Sequence, residues 1–182
     1  MVNRYKLRLT VLQAEIMRLL FVKAGTSLNQ RAIARLLDVS SPAIMKALPK
    51  LEKEGLITLK QDEESKRWSI ELNRDDVRVM GLKRSDNLRQ LYESSLIAFL
   101  SDKFPAAIII LFGSYSYGTD TVDSDIDIAI ITKKEKEVDL TSFNKELERN
   151  ITIQFYESLS GIHNNLKNSI INGIVLNGVI EL

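Results

Sequence analysis

Four residues in one short stretch are of types and spacing that could do chemistry together. Gly113 and Ser114 end a continuous apolar run from Ala106 to Phe112, and ten residues after them come Asp125 and Asp127, separated by one isoleucine. The apolar run reads as a buried strand, and Ile126 to Ile131 reads as a second one. Side chains alternate along a strand, so Asp125 and Asp127 project to one face while Ile126 and Ile128 take the other. Two carboxylates side by side repel each other. Keeping both ionised favours a cation between them, or exposure near a sheet end. Hard divalent cations take such oxygen ligands, and magnesium shares them with substrate phosphates. Gly113 lets the backbone come close to a ligand. Ser114, at the start of a helical turn, offers a hydroxyl and backbone N–H groups to a phosphate. Together these are the parts of a nucleotide-plus-metal site. Two plainer readings stand beside it: Asp123, Asp125 and Asp127 as a relic that senses nucleotide without turning it over, and a purely structural role.

The inventory of the chain excludes other chemistries. Its 182 residues, 45% apolar and 27% charged, suffice for one ordinary domain or two small ones with a real core. There is no cysteine and one histidine, His163, so disulfides, thiolate zinc sites, iron–sulfur clusters, cysteine nucleophiles and multi-histidine metal sites are ruled out. No long apolar run or signal-like segment is present, and a cytoplasmic protein without a membrane partner is expected. The formal net charge of +1 hides a gradient: residues 1–73 sum to +5, residues 74–104 to +1 and residues 105–182 to −5. Such asymmetry suggests units with different partners.

The elements that must carry these units follow from the pattern. Thr10 to Lys23 has apolar residues at Leu12, Ile16, Leu19 and Leu20, one face of an amphipathic helix. Ser27 and Gln30 fit a capping box for a short second helix that turns Ile33, Leu36 and Leu37 inward. Ser41 is expected to cap a third helix, with Pro42 at its first position and Ile44, Met45, Leu48 and Leu51 on its buried side. Pro49 should kink that helix or remove one of its hydrogen bonds. After Gly55 the period changes, and Leu56–Leu59 and Trp68–Leu72 read as two strands around a polar loop. Asn73 to Lys83 is a polar stretch broken by Gly81. A long helix is expected from Ser85, through Leu88, Leu91, Leu96 and Leu100, to Pro105.

The helix, helix, turn, helix, hairpin order, with the run ALPKLEKEGLI, resembles the winged helix-turn-helix domains of bacterial and archaeal transcription regulators. The resemblance implies a recognition helix from Ser41 to Glu54 in the major groove of duplex DNA, with Ser41, Ala43, Lys46 and Lys50 at its entry and outward face. The hairpin would be the wing, with Lys60, Lys66 and Arg67 near phosphates. A protein-interaction or dimerisation module is the plainer reading, and a homodimer suits a two-fold DNA site.

The stretch LFGSYSYGTDTVDSDIDIAII resembles the signature of the DNA polymerase β-type nucleotidyltransferase superfamily, and residues 105–182 resemble its minimal domain. The resemblance implies a mixed sheet with helices and use of an NTP, ATP above the others, with Mg²⁺ or Mn²⁺. A nucleoside monophosphate would pass to an acceptor hydroxyl by a two-metal mechanism. Gly113 and Ser114 would hold the β- and γ-phosphates, and Asp125 and Asp127 the metals. The superfamily carries a third carboxylate on a later strand. Ile151 to Tyr156 is expected to be that strand, and the expected acid reads as Gln154, which cannot act as a base. The third role is then absent, filled by Glu157, or supplied by a partner.

The expected architecture is therefore α+β: a winged helix-turn-helix domain over residues 1–73, a helical connector over 74–104 and a minimal nucleotidyltransferase over 105–182. The expected function is nucleotidyl transfer coupled to DNA binding. The alternative is a DNA-binding regulator with a nucleotide-sensing, catalytically impaired domain. Some minimal nucleotidyltransferases resemble antitoxins that modify a partner toxin on a hydroxyl, which would make the acceptor a protein.

Overall fold

A computed structural model describes residues 7–63 and 67–180. It divides the chain into two compact units, Met1–Val79 and Met80–Leu182.

The first unit opens with α1 (Val11–Val22), closed at its start by a reciprocal capping box. The Gln13 N–H donates to Thr10 Oγ1 at 3.2 Å, and the Thr10 N–H donates to Gln13 Oε1 at 3.0 Å. The box expected at Ser27 and Gln30 is not formed there. Asn29 caps α2 (Gln30–Leu36), its Oδ1 accepting from the Ala32 N–H at 2.9 Å. Ser27 instead meets the Ser69 hydroxyl, and Leu28 bridges to Ile70. The segment before α2 is thus drawn into the edge of the hairpin. Leu36, expected inside, is 50% exposed. Ser40, not Ser41, caps α3 (Ser41–Lys53), which leaves Pro42 in the first turn, where its missing N–H is harmless. The helix runs on through Pro49, whose ring faces solvent. β1 (Ile57–Gln61) and β2 (Trp68–Leu72) pair antiparallel. Ile16, Leu20, Ile33, Ile44, Leu48, Leu51, Leu56 and Ile70 form the core. The buried Gln13 amide donates to the Ala47 carbonyl at 3.1 Å and ties α1 to α3.

Helix α4 (Val77–Glu93) starts at the end of the first unit, and its body belongs to the second. It passes through Gly81 without a break, because tertiary packing of its buried side outweighs the roughly 1 kcal/mol propensity cost of one glycine. The single long helix expected from Ser85 is instead two. Ser95 takes a left-handed conformation (φ 63°), and α5 (Leu96–Lys103) follows. Leu91, Leu96, Ile97, Leu100 and Phe104 pack into the core of the second unit, so this stretch is part of that core.

Then come β3 (Ile108–Phe112), α6 (Gly113–Tyr117), β4 (Ile126–Ile131), α7 (Thr141–Leu147), β5 (Ile151–Tyr156), α8 (Asn164–Ile171) and β6 (Ile174–Asn177). The sheet order is β5-β4-β3-β6, with β3 antiparallel to both neighbours and β4 parallel to β5. This is the mixed sheet of an α+β unit. Both sides are apolar, as the run IIILF requires. Ile109, Leu111, Ile128 and Ile130 meet the α5 side chains. Ile110, Phe112, Ala129 and Ile131 meet Ile162 and Ile170.

Candidate active site

The two halves of the motif meet at one end of this sheet. Phe112, the last residue of β3, is the register partner of Asp127, the second residue of β4. The chain then turns at Gly113, with φ +71°, a left-handed conformation that suits glycine. A Cβ there would overlap the Asp127 carboxylate oxygen and stand 3.3 Å from its Cγ. Gly113 therefore serves two ends, backbone conformation and direct apposition of turn and carboxylate. α6 starts at once, leaving the N–H groups of its first turn without helical partners. The Ser114 side chain is half-buried and makes no hydrogen bond to the described residues, whereas Ser116 turns inward and donates to the Gly113 carbonyl at 2.7 Å. Tyr115 and Ser116 are buried, which makes them supports of the turn; Tyr117 is exposed.

Asp125 is exposed and Asp127 half-buried, on the same side of the strand. Neither makes an ion pair or hydrogen bond among the described residues. Burial, and then the Asp125 charge, push the Asp127 carboxyl above the ordinary value of 3.8. Two unpaired, mutually repelling carboxylates beside an open turn suit a hard divalent cation that completes its shell with phosphate oxygens. The donor set stays a pair: among the described residues no three His, Asp or Glu side chains are grouped to hold a metal.

The strand register shows which residue of β5 stands opposite Asp127. β5 lies parallel to β4, and the partner of Asp127 is Thr152. Gln154 is opposite Ala129, ~7 Å further along the strand, and its Oε1 accepts from the Tyr156 hydroxyl at 2.5 Å. Glu157 follows the far end of β5, ~16 Å along the strand from Thr152. The face assigned to Thr152, Gln154 and Tyr156 was legible in the alternation; which of the three stands beside Asp127 required the pairing. Beside Asp125 a polar cleft of about 490 Å³ is lined by Asp123, Asn144, Lys145, Arg149 and Asn150 among others.

In the first unit, Lys46 and Lys50 are exposed on α3, and Ala43 is half-buried on the same face at i, i+3, i+7 spacing. Ser41 lies in the first turn, and its carbonyl accepts from Gln30 Nε2 at 2.8 Å. The Lys50 ammonium donates to the Arg8 carbonyl. Lys60 is exposed on β1, and Arg67 is exposed just before β2. Lys66 lies outside the described residues. The sequence reading missed Arg31 and Arg35, which with Arg67 and Trp68 line an open cleft of about 670 Å³. Their i, i+4 spacing on a short amphipathic helix is the signal that could have found them.

Residues 93–176 match the profile of the nucleotidyltransferase domain family, and residues 9–68 match that of the MarR family. The chain carries a nucleotidyltransferase domain behind a MarR-type winged helix. The nucleotidyltransferase match begins within α4 and takes in α5, β3 and the Gly113–Asp127 turn. A 45-residue stretch is 49% identical to the protein adenylyltransferase MntA of Shewanella oneidensis, covering 24% of this chain and 32% of that protein. The chain thus matches about a third of that relative's length. Solved structures with some likeness include the MepR–DNA complex of Staphylococcus aureus, at 21% identity and TM-score 0.39 over 53% of this chain and 79% of that one. Another is a variant of Lactococcus lactis ZitR, at 24% identity and TM-score 0.41 over 56% and 66%. Among the described residues no helix is long and apolar enough to cross a membrane.

Proposed function

We propose that the second unit binds a nucleoside triphosphate with a divalent cation and transfers a nucleoside monophosphate, AMP from ATP, to a hydroxyl of a protein acceptor. The observation that carries this reading is the apposition of Gly113 to Asp127 at the sheet end, with Asp125 unpaired beside it. Gly113 and Ser114 hold the β- and γ-phosphates with backbone N–H groups and the Ser114 hydroxyl. Asp125 and Asp127 hold Mg²⁺ or Mn²⁺, which when bound screens phosphate charge and supplies Lewis-acid assistance. In the transfer, the acceptor oxygen forms a bond to the α-phosphorus, the bond to the bridging oxygen breaks, pyrophosphate leaves, and the hydroxyl proton is released to solvent. The likeness to a protein adenylyltransferase supports AMP as the group and a protein as the acceptor.

The winged helix, on this reading, binds duplex DNA through Ser41, Ala43, Lys46 and Lys50 of α3, and through Lys60, Lys66 and Arg67 of the wing. The MarR-family match and the +5 balance of residues 1–73 support it. A two-fold site would suit a dimer.

A second reading is favoured by Thr152. With a hydroxyl opposite Asp127, and no third carboxylate grouped with the pair among the described residues, the acceptor proton has no dedicated base. The unit then binds nucleotide without turnover, and the protein is a DNA-binding regulator that senses it. Incubation with α-labelled ATP, Mg²⁺ or Mn²⁺, and candidate protein acceptors decides between the two. Label on the acceptor with release of pyrophosphate, lost in Asp125→Asn/Asp127→Asn, supports transfer. Metal-dependent binding with no label on any acceptor supports the sensor.

A further inference from the structure

We propose that Lys83, Asn87 and Asp120 form a buried positioning network that sets the Gly113–Gly118 turn for the polyphosphate of an NTP. The inference rests on the nucleotide reading of the second unit and adds residues that lie outside the motif.

α4 grips the turn at successive points along one of its sides. The Asn87 amide donates to the Tyr115 carbonyl at 3.0 Å and to Asp120 Oδ1 at 2.7 Å. The Lys83 ammonium donates to the same Asp120 oxygen at 2.6 Å and to Asn87 Oδ1 at 3.2 Å. At Gly118 the two backbones touch: its φ is +76°, and a Cβ there would come within 2.6 Å of the Met80 carbonyl oxygen and 2.7 Å of the Arg84 nitrogen. Met80, Lys83, Arg84 and Asn87 follow i, i+3, i+4, i+7 spacing, the geometry of one helix face. The turn is therefore fixed between β3 at its start and α4 along its length.

Stability alone does not account for these residues. The Lys83 and Asp120 side chains are 1% and 0% exposed. Burying such a pair costs desolvation that its mutual attraction seldom exceeds, and apolar residues of like volume serve a core as well or better. Arg149 Nη2 stands 3.9 Å from Asp120 Oδ2, which is buried and makes no hydrogen bond among the described residues. Asp120 thus faces both Lys83 and Arg149 in a region closed to water. Residues 113–127 contain four aspartates and no Lys or Arg. A polyanion received by that stretch finds no cationic side chain in it, so its phosphates depend on the backbone N–H groups of the turn being held in place. Backbone groups held by a buried network need no reorganisation when the ligand arrives. Lys83 touches no ligand in this scheme; it acts through Asp120 and the turn.

The test uses the full-length protein and the paired change Lys83→Met with Asp120→Leu, which removes both charges and leaves an apolar contact. Calorimetric titrations with ATP, ADP and AMP in the presence of Mg²⁺ are compared with wild type, and thermal unfolding reports folding. The proposal expects a folded variant with about tenfold weaker ATP binding, a smaller loss for ADP and the smallest for AMP. A folded variant with wild-type ATP affinity, or with equal losses for all three nucleotides, overturns it. If the pair change does not fold, Asn87→Leu keeps the Lys83–Asp120 bond, and the same graded or ungraded outcomes decide. Failure of the wild type to bind ATP at all, with Asp127→Asn indistinguishable from it, overturns the nucleotide reading and this proposal with it.

Discussion

Replacing Gly113 by alanine separates the geometric claim about the site from its chemistry. Gly113 sits at φ +71°, and an L-residue in that left-handed region costs about 1 kcal/mol or somewhat more. The added Cβ would also overlap the Asp127 carboxylate. The Asp127 backbone cannot retreat, because it pairs with Phe112 on one side and Thr152 on the other. The carboxylate must therefore rotate from its present position, at an off-rotamer cost of order 1 kcal/mol. The combined destabilisation is about 2 kcal/mol, which a domain survives. For a unit of this size each kcal/mol lowers the Tm by roughly 4–8 °C. The variant should then be folded at room temperature, melt measurably earlier, and bind ATP with Mg²⁺ at least about tenfold more weakly, because phosphate turn and metal carboxylate have both moved. Differential scanning calorimetry and isothermal titration read the two effects. Wild-type ATP affinity in Gly113→Ala, with an unchanged Tm, would refute the reasoning that turn and carboxylate are locked together.

Other predictions concern single features. Thr152→Asp places a carboxylate beside Asp127 and should tighten Mn²⁺ binding about tenfold; an unchanged titration would show that the register partner of Asp127 does not face the metal. Mg²⁺-dependent nucleotide binding should be complete well above pH 3.8 and fall as the pH drops through the raised titration of Asp127, earlier than for an ordinary aspartate. For the free protein the sign is opposite: a raised carboxyl favours the folded state when protonated, and that contribution is lost as the pH rises through its titration. Asp125→Asn removes one of the two causes and should move the Asp127 titration, followed by NMR, back toward 3.8. Charge reversal at Lys46 and Lys50 should abolish salt-sensitive binding to a cognate duplex, and neutralising both should reduce the slope of log K against log salt by about 2. Fluorescence anisotropy over a salt series reads this, and an unchanged slope would remove those lysines from the phosphate contacts.

Much of this structure was legible in the residues, and the rest was not for identifiable reasons. The IIILF run and the alternation around Asp125 and Asp127 depend on periodicity alone, so both strands and the shared carboxylate face could be read directly. Helix ends were less legible. Ser27 and Gln30 satisfy the capping-box pattern, yet Ser27 is claimed by Ser69 and Leu28 by Ile70, partners 42 residues away. Gly81 looks like a breaker locally, but α4 runs through it, carrying Lys83 and Asn87 against the turn. Which residue of β5 stands opposite Asp127 was hidden for the same reason. Alternation gives the face of a strand, whereas register comes from pairing with β4 and from the Asn144 side chain, which accepts from the Ile151 N–H at 3.1 Å. The Lys83–Asp120 contact spans 37 residues and leaves no local pattern.

The central claim is a metal-dependent nucleotide site built by Gly113, Ser114, Asp125 and Asp127. Titration of ATP into wild type and Asp125→Asn/Asp127→Asn, with and without Mg²⁺, tests it most directly. The wild type is expected to show saturable binding that needs Mg²⁺, and the double variant none although it stays folded. Equal binding by the two proteins, or binding indifferent to the metal, would contradict it.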